Sequence, residues 1–238
     1  MRASAGACSS RSSTDLRVAA LYDIHGNVSA LDAVLAEVDA DVIVVGGDTV
    51  MGPWPSETLA RLRTLDADVR FIRGNADREI YDEQPGFAPA EALRHVRSRL
   101  APEQVEFLRT LPLTISIGRV LFCHATPRSD EEILTKISPE ERWREALAGV
   151  AADVVVCGHT HVQFDRRIAD IRLVNAGSVG MPYEHEPGAY WALLDGTDVQ
   201  LRHTRCQAPD VSEWPGEWPQ ASPDEATEHF ERVSRGEA

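Results

Sequence analysis

The sequence predicts an α/β fold, and three observations carry this prediction. Short runs rich in Val, Ile, Leu and Phe alternate with segments in which apolar residues recur every three or four positions, as in parallel strands buried by crossover helices. Towards the end of the chain, the pattern changes to pairs of strands. The 238 residues, of which 43% are hydrophobic, are enough for one domain with a sizeable core. We place this domain at residues 16–206.

The first half of the chain contains repeated βα units. Apolar runs that predict strands cover residues 16–22, 42–45 and 69–72. A helix is expected over residues 29–38, which present one apolar face, and another begins near residue 56. Two more helices are expected between residues 90 and 111, the second starting at Pro102, because proline is favoured in the first turn of a helix.

The second half begins with two further βα-type runs and ends in hairpins. These runs cover residues 120–123 and 154–157. Between them, Ser138-Pro139-Glu140-Glu141 predicts a helix with the serine as its N-cap. Residues 163–174 and 190–205 each predict two strands joined by a turn.

The two ends of the chain have compositions that disfavour a packed core. Residues 1–15 are rich in Ser, Ala and Arg but lack the apolar stretch of a secretory signal, which predicts a disordered leader. Pro, Glu, Ser and Asp dominate residues 207–238, which predicts an acidic, mostly disordered tail. Trp214 and Trp218 are the residues of this tail that could dock on the domain.

Charge and cysteine spacing limit the partners and the compartment. The chain has 24 basic and 38 acidic side chains and a net charge of −14, so its surface should repel duplex nucleic acid. Because no run approaches the roughly 20 apolar residues that cross a bilayer, no membrane partner is expected. The cysteines lack disulfide or zinc spacing, which favours free thiols and a cytoplasmic location. The sequence predicts no particular oligomeric state.

Metal-binding residue types follow each of the five βα-type runs. They are Asp23 with His25, Asp48, Asn75, His124, and His159 with His161. The carboxyl ends of strands in an open α/β sheet lie along one edge, so we expect these side chains to converge. A single Asp or His after a strand is more often a turn former or a solvated side chain, but turn chemistry alone does not explain the paired histidines. This mixture of carboxylate, amide and imidazole suits transition metals better than Mg²⁺ or Ca²⁺.

Five ordered motifs resemble those of the calcineurin-like metallophosphoesterases, in particular the small bacterial and archaeal phosphodiesterases of that superfamily. The motifs are Asp23-Ile24-His25-Gly26-Asn27, Gly47-Asp48, Gly74-Asn75-Ala76-Asp77, Cys123-His124 and Gly158-His159-Thr160-His161. The resemblance implies a four-layer α/β/β/α sandwich of two mixed sheets flanked by helices. It also implies two divalent metal ions, with Mn²⁺ expected and Fe, Co, Ni or Zn as alternatives.

The resemblance further implies a role for each ligand. One metal would be held by Asp23, His25, Asp48 and His161, and the other by Asp48, Asn75, His124 and His159. Asp48, Asn75 and His124 are the expected catalytic residues, in a reaction in which a metal-bridging hydroxide attacks a small-molecule phosphate ester, preferably a diester. The alternatives are a phosphomonoesterase, a dinucleoside polyphosphate hydrolase, and a scaffold that keeps the fold without turnover.

Two departures from the superfamily pattern affect the expected chemistry. Ala76 stands where many members have a histidine that assists the leaving group, and alanine cannot donate a proton. The residues after Asp48 also lack the arginine of the protein serine/threonine phosphatases, which disfavours that activity.

Three residues near the motifs are candidate substrate contacts, namely Asn27, Arg73 and Ser178. Ser178 lies in a Gly-rich loop that is as consistent with an ordinary turn as with phosphate contact. Arg128 and His185 are weaker candidates, since arginine and histidine in loops are often solvated.

Overall fold

The computed structural model describes residues 16–82, 84 and 86–237. The predicted leader at residues 1–15 lies outside the described residues. In chain order the elements are β1 (Arg17–Leu21), α1 (Val28–Leu35), β2 (Val42–Val45), α2 (Pro55–Arg63), β3 (Asp68–Phe71), α3 (Asn75–Glu79), α4 (Ala90–Arg99), α5 (Pro102–Arg109), β4 (Thr114–Ile117), β5 (Val120–Cys123), α6 (Glu140–Ala146), β6 (Val154–Cys157), β7 (Phe164–Ile168), β8 (Ile171–Asn175), β9 (Ala189–Asp195), β10 (Asp198–Thr204) and α7 (Pro223–Ser234).

The strands form two mixed sheets of five strands each, in the orders β10-β9-β1-β2-β3 and β4-β5-β6-β8-β7. In the first sheet β1, β2 and β3 are parallel and β9 is antiparallel to β1. In the second sheet β5, β6 and β8 are parallel, while β4 and β7 are antiparallel edge strands. The hairpins predicted near the end of the domain are confirmed as β7–β8 and β9–β10.

Apolar side chains on the two sheets face each other and form the central core. Val18 and Val44 of the first sheet are in the same buried cluster as Phe122 and Val156 of the second. Helix α1 packs on the outer face of the first sheet, and α6 packs on the outer face of the second through Trp143. The predicted four-layer sandwich is therefore confirmed. Strands β2 and β6 are buried along their whole length, which explains why both are uninterrupted apolar runs.

Two local predictions need correction. The metal-binding residue types do not follow the strands of one sheet, because β1, β2 and β3 belong to the first sheet and β5 and β6 to the second. The N-cap of α6 is Pro139 rather than Ser138. Ser138 has another role, since its hydroxyl accepts a hydrogen bond from Thr135 N at 2.8 Å and donates to the buried carboxylate of Glu231.

The prediction of a mostly disordered tail is wrong for the described part of residues 207–238. Helix α7 is capped by Ser222, whose hydroxyl accepts from Glu225 N at 3.4 Å. Ahead of this helix, Trp54 Nε1 donates to Asp210 O at 3.2 Å, which ties the segment to the domain. The composition was misleading because polar tertiary contacts hold this segment. Among the described residues, no helix has the length and hydrophobicity needed to cross a bilayer.

Candidate metal centre

Loops at the carboxyl ends of the strands place the predicted ligands in strained backbone conformations. Among the described residues, six that are not glycine have positive φ, and five of them are predicted ligands: Asp23 (51°), His25 (48°), Asp48 (51°), His159 (68°) and His161 (56°). Positive φ is uncommon for residues that carry a Cβ, and such residues concentrate at functional sites. The backbone therefore marks the same positions as the motifs.

Glycines let the ligand loops come into contact, both within the first sheet and between the two sheets. A Cβ on Gly74 would lie 2.1 Å from Asp48 Oδ1, and one on Gly158 would lie 2.3 Å from Asp23 Oδ2. Since neither distance is sterically possible, these two glycines are required for the close approach of backbone to carboxylate. Asp23 is held further by His159 N, which donates to its Oδ2 at 2.8 Å.

The first group of ligand atoms comes from Asp23, His25 and His161. The Nδ1 atoms of the two histidines donate to Met51 O at 2.9 Å and Met181 O at 2.7 Å. When these rings are neutral, Nε2 is therefore the unprotonated nitrogen of each, and the two Nε2 atoms lie only 3.1 Å apart. Two lone pairs at this distance repel each other unless a cation or a proton lies between them.

The second group comes from Asp48, His124 and His159, with Asn75 beside them. His124 Nδ1 donates to Gly46 O at 2.9 Å, so its Nε2 points to Asp48 Oδ2 at 3.4 Å and Asn75 Oδ1 at 3.3 Å. Asn75 is oriented by the buried Glu79, because Nδ2 of Asn75 donates to Glu79 Oε1 at 3.2 Å. The amide oxygen is thereby left to face the site.

Two buried atoms of these groups lack the partner that burial normally requires. Asp23 Oδ1 and His159 Nε2 have no hydrogen-bond partner, although His161 Nε2 is 3.2 Å from the first of them. Buried polar atoms without partners are rare and costly in folded proteins. Within each group of three, the ligand atoms lie within 4.8 Å of one another. Unpaired acceptors that converge in this way fit divalent cations.

The electrostatics of the site differ between its histidines. Burial, followed by the charge of His124, lowers the pKa of His159 to about 4, so this ring is neutral and its Nε2 is able to bind a cation. Burial also opposes protonation of His124, but Asp48 and Asp23 overcome it and raise the pKa of His124 to about 10. In the absence of a cation, a proton on His124 offsets the buried carboxylates. A metal ion would replace that proton.

Comparison with known proteins identifies the family. The profile of the calcineurin-like phosphoesterase superfamily domain matches residues 16–198. The chain belongs to this superfamily.

The relatives of this calcineurin-like phosphoesterase domain include archaeal and bacterial proteins. A protein of Methanothermobacter thermautotrophicus named a probable metallophosphoesterase is 29% identical over 171 residues, which cover 72% of this chain and 79% of that protein. The crystal structure of a metallophosphoesterase from Sphaerobacter thermophilus has a TM-score of 0.69 at 24% identity. The match covers 81% of this chain and 89% of that chain. The crystal structure of a hypothetical protein from Pyrococcus horikoshii has a TM-score of 0.70 at 24% identity. The match covers 83% of this chain and 90% of that chain. These two structures share the fold.

Asp77 is a residue of the calcineurin-like site whose role the motifs did not reveal. Its Oδ1 accepts from Thr49 N at 2.9 Å and Val50 N at 3.3 Å, and its Oδ2 accepts from Gly74 N at 3.2 Å. These bonds join the loop that carries Asp48 to the one that carries Asn75. Burial, and then the charge of Asp48, raise the pKa of Asp77 to about 7.

Two predicted substrate contacts of this calcineurin-like domain, Ser178 and Asn27, are buried and make hydrogen bonds within the protein. Ser178 is fully buried, donates from Oγ to Asp23 O at 2.7 Å and accepts from Met181 N at 2.8 Å. Asn27 caps α1 by accepting from Ala30 N at 3.1 Å. Its Nδ2 donates to Gly180 O at 3.0 Å, so both polar atoms of its side chain have a partner within the protein. Both residues support the loop of Asp23.

The remaining candidates for substrate contact form ion pairs with carboxylates or are exposed. Arg73 Nε donates to Asp130 Oδ2 at 2.9 Å, and Arg128 Nε donates to Glu132 at 2.9 Å. His185 is exposed and, like both arginines, is absent from the lining of the cavity beside the ligands. The structure therefore brings together all seven predicted metal ligands, whereas Asn27, Arg73 and Ser178 do not line the cavity beside them.

A cavity of about 760 Å³ opens onto the ligands of this calcineurin-like site. His25, Asp48, Asn75, His159 and His161 line one side. The rest of the lining is mostly apolar and aromatic, and it contains no Lys or Arg from the described residues. This volume is in the range of pockets that enclose a whole small molecule.

Proposed function

We propose that this protein is a phosphodiesterase that uses two divalent cations, preferentially Mn²⁺, to hydrolyse small phosphate esters. The observation that carries the proposal is the position of Asp48 between the two groups of ligand atoms. Its Oδ2 lies 3.9 Å from His25 Nε2 and 3.4 Å from His124 Nε2. A single carboxylate in this place can serve both cations.

The chain's own residues position the reacting groups. Asp23, His25 and His161 would hold one cation, and Asn75, His124 and His159 the other, with Asp48 shared. The cations would supply Lewis-acid chemistry, making water a nucleophile near neutral pH and offsetting charge on the phosphoryl oxygens. Ala76 N donates to Asp48 Oδ1 at 2.8 Å, which leaves Oδ2 facing the ligands.

The lining of the cavity favours a diester over the alternatives. A diester carries a single negative charge, whereas a monoester or a polyphosphate carries more and requires additional cationic partners. The cavity wall provides no Lys or Arg among the described residues, but it has an apolar side that suits a second organic substituent. A scaffold without turnover would have no need of two complete ligand groups.

The test compares a diester with a monoester on protein that has been stripped of metal and reloaded with Mn²⁺. We expect faster hydrolysis of bis(4-nitrophenyl) phosphate than of 4-nitrophenyl phosphate, and loss of both activities in Asp48→Asn. Asp32→Asn, an exposed carboxylate outside the site, is the matched control. A parent that prefers the monoester, or an Asp48→Asn variant as active as the control, would refute the proposal.

A further inference from the structure

The cavity has a second wall that lies beyond the family match. The match ends at residue 198, but Trp214, Trp218 and Phe230 also line the cavity. Together with Phe87 and Tyr183 of the domain, they form what we call the aromatic wall. Three of these five side chains belong to the segment for which composition predicts a mostly disordered tail, with Trp214 and Trp218 as the residues that could dock.

The aromatic wall is continuous with the ligands of both groups. The ring centroid of Phe230 is 6.4 Å from that of His159 and 6.3 Å from that of Tyr183. Tyr183 stacks on His161 with a centroid distance of 5.0 Å, and Phe87 lies 6.1 Å from His159. A phosphate ester bound at the ligands therefore has this wall beside it, and its organic substituent can lie against the aromatic rings.

Polar contacts fix the C-terminal end of the wall in place. Glu231, the residue after Phe230, is buried and accepts from Thr135 Oγ1 at 2.7 Å as well as from Ser138 Oγ. Arg142 Nη1 lies 3.5 Å from the same carboxylate. A buried carboxylate needs such partners, so α7 has one favourable position against the domain.

The N-terminal end of the wall is held separately. Arg99 Nη2 pairs with Glu213 at 2.6 Å, and the ring of Trp214 lies 5.4 Å from that of His95. Trp218 lies against Trp214 at 5.4 Å in an edge-to-face arrangement. The segment is thus attached to the domain on both sides of the cavity, and its aromatic residues lie between the two attachments.

The chemistry of the wall selects a class of substituent. Rings with faces and edges exposed to a cavity bind flat aromatic groups by stacking and edge contacts. Phe87 is 54% exposed and so retains an open face. Because the lining contains no Lys or Arg among the described residues and does contain Glu225, a second anionic group would be disfavoured.

We propose that the segment from residue 207 to residue 236 forms the part of the site that determines substrate specificity. The substrate is a phosphodiester whose second substituent is a flat, uncharged aromatic group. This inference rests on the proposed phosphodiesterase function. In the reaction, the oxygen of water bonds to phosphorus as the water loses a proton to solvent, the bond between phosphorus and the leaving oxygen breaks, and the leaving oxygen departs with the electron pair and takes up a proton. The aromatic substituent remains on the product as a monoester and stays against the wall.

The test keeps the leaving group constant and changes only the second substituent. Phenyl 4-nitrophenyl phosphate and methyl 4-nitrophenyl phosphate both release 4-nitrophenol, so their kcat/KM ratio reports on binding of phenyl against methyl. For the Mn²⁺-loaded full-length protein, we expect a preference for the phenyl ester of roughly tenfold or more, mainly in KM. Trp218→Ala and Phe230→Ala should reduce this ratio to near one. Phe230→Leu keeps an apolar side chain but has no ring. A lower kcat/KM ratio in this variant therefore reports the loss of the ring and not the loss of packing.

Val233→Ala is the matched control, because Val233 lies on α7 but does not line the cavity. This control should keep the preference of the parent. A parent that cleaves both esters equally, or ring variants that retain its preference, would overturn the inference and leave the phosphodiesterase function intact. Cleavage of neither ester would instead overturn the proposed function.

Calorimetry gives a readout that does not need turnover. Phenylphosphonate and methylphosphonate present the same charged end to the metal-loaded site. We expect tighter binding of phenylphosphonate to the parent and loss of this difference in Trp218→Ala. Equal affinities of the parent for the two phosphonates would contradict the role of the aromatic wall even if no ester is cleaved.

Discussion

The Nε2 atoms of His25 and His161 lie 3.1 Å apart, while the Nδ1 atom of each ring donates to a backbone carbonyl oxygen. The carbonyls determine the tautomer, so both unprotonated nitrogens point to the same place. The fold holds this repulsive arrangement in a buried position, which is understandable if a cation joins the two nitrogens. The buried Asp23 Oδ1 and His159 Nε2, which lack hydrogen-bond partners, have the same explanation.

Replacing His25 with Ala should remove one of two metal ions and leave the other. His25 belongs to only one ligand group, so the group of His124 and His159 remains complete. Because changes outside a ligand shell already cost about 10–100-fold, we expect hydrolysis to fall by at least about 100-fold. Metal content by mass spectrometry, together with kcat/KM, checks this. His185→Ala is the control, and a His25→Ala protein that retains both ions would disprove the assignment.

Asp77→Ala should weaken both the fold and the metal site. The substitution leaves the N–H groups of Thr49, Val50 and Gly74 without their acceptor, at a cost of about 2–4 kcal/mol in the free energy of unfolding. Asp77→Asn keeps one acceptor oxygen and should cost less. Denaturant unfolding and Mn²⁺ affinity are the measurements. Exposed Asp68 provides the control, and an Asp77→Ala protein as stable as Asp68→Ala would show that these bonds contribute little.

Placing histidine at position 76 should change how the rate depends on the leaving group. Ala76 lines the cavity next to Asn75, and its methyl group cannot donate a proton. General acid assistance is worth about 10²–10⁴-fold, and poor leaving groups gain most from it. We therefore expect Ala76→His to show a shallower dependence of kcat/KM on leaving-group pKa across a series of aryl and alkyl diesters. Ala76→Leu controls for bulk, and equal slopes in parent and Ala76→His would mean that another group already supplies the proton.

The ligand set could be predicted from the sequence because each ligand is covalently close to a strand end. When parallel strands are buried side by side, the loops at their carboxyl ends lie close together, whatever the rest of the sequence is. The sharing of ligands between two sheets could not be read from the apolar runs, since β1 and β6 look alike and pack in different sheets.

The position of the aromatic wall could not be predicted, because the polar contacts that hold its segment join residues that are distant in sequence. Glu231 and its partner Ser138 are separated by 93 residues, and both would be expected to face solvent from composition alone. Ser178 shows the converse limit of the sequence pattern. A serine in a Gly-rich loop resembles a phosphate contact, whereas its hydroxyl is used within the protein to hold Asp23 and Met181.

Glu231→Ala should loosen the C-terminal segment without affecting the metal ligands. The loss of charged hydrogen bonds to Thr135 and Ser138 removes about 1.5–3 kcal/mol of local stability. That change corresponds to roughly 10–100-fold faster cleavage after residue 207 under conditions of limited proteolysis. The exposed Glu228 on the same helix provides the control variant. If Glu231→Ala and Glu228→Ala are cleaved at the same rate, the carboxylate is not the anchor.

The central claim is that two cations, sharing Asp48, make the site active. The most direct measurement titrates metal-free protein with Mn²⁺ while hydrolysis of bis(4-nitrophenyl) phosphate is followed, at protein concentrations well above the dissociation constants. We predict that activity rises mainly between the first and second equivalents and reaches its plateau at two ions per chain. Full activity at one equivalent, or in the presence of excess chelator after verified metal removal, would contradict the account.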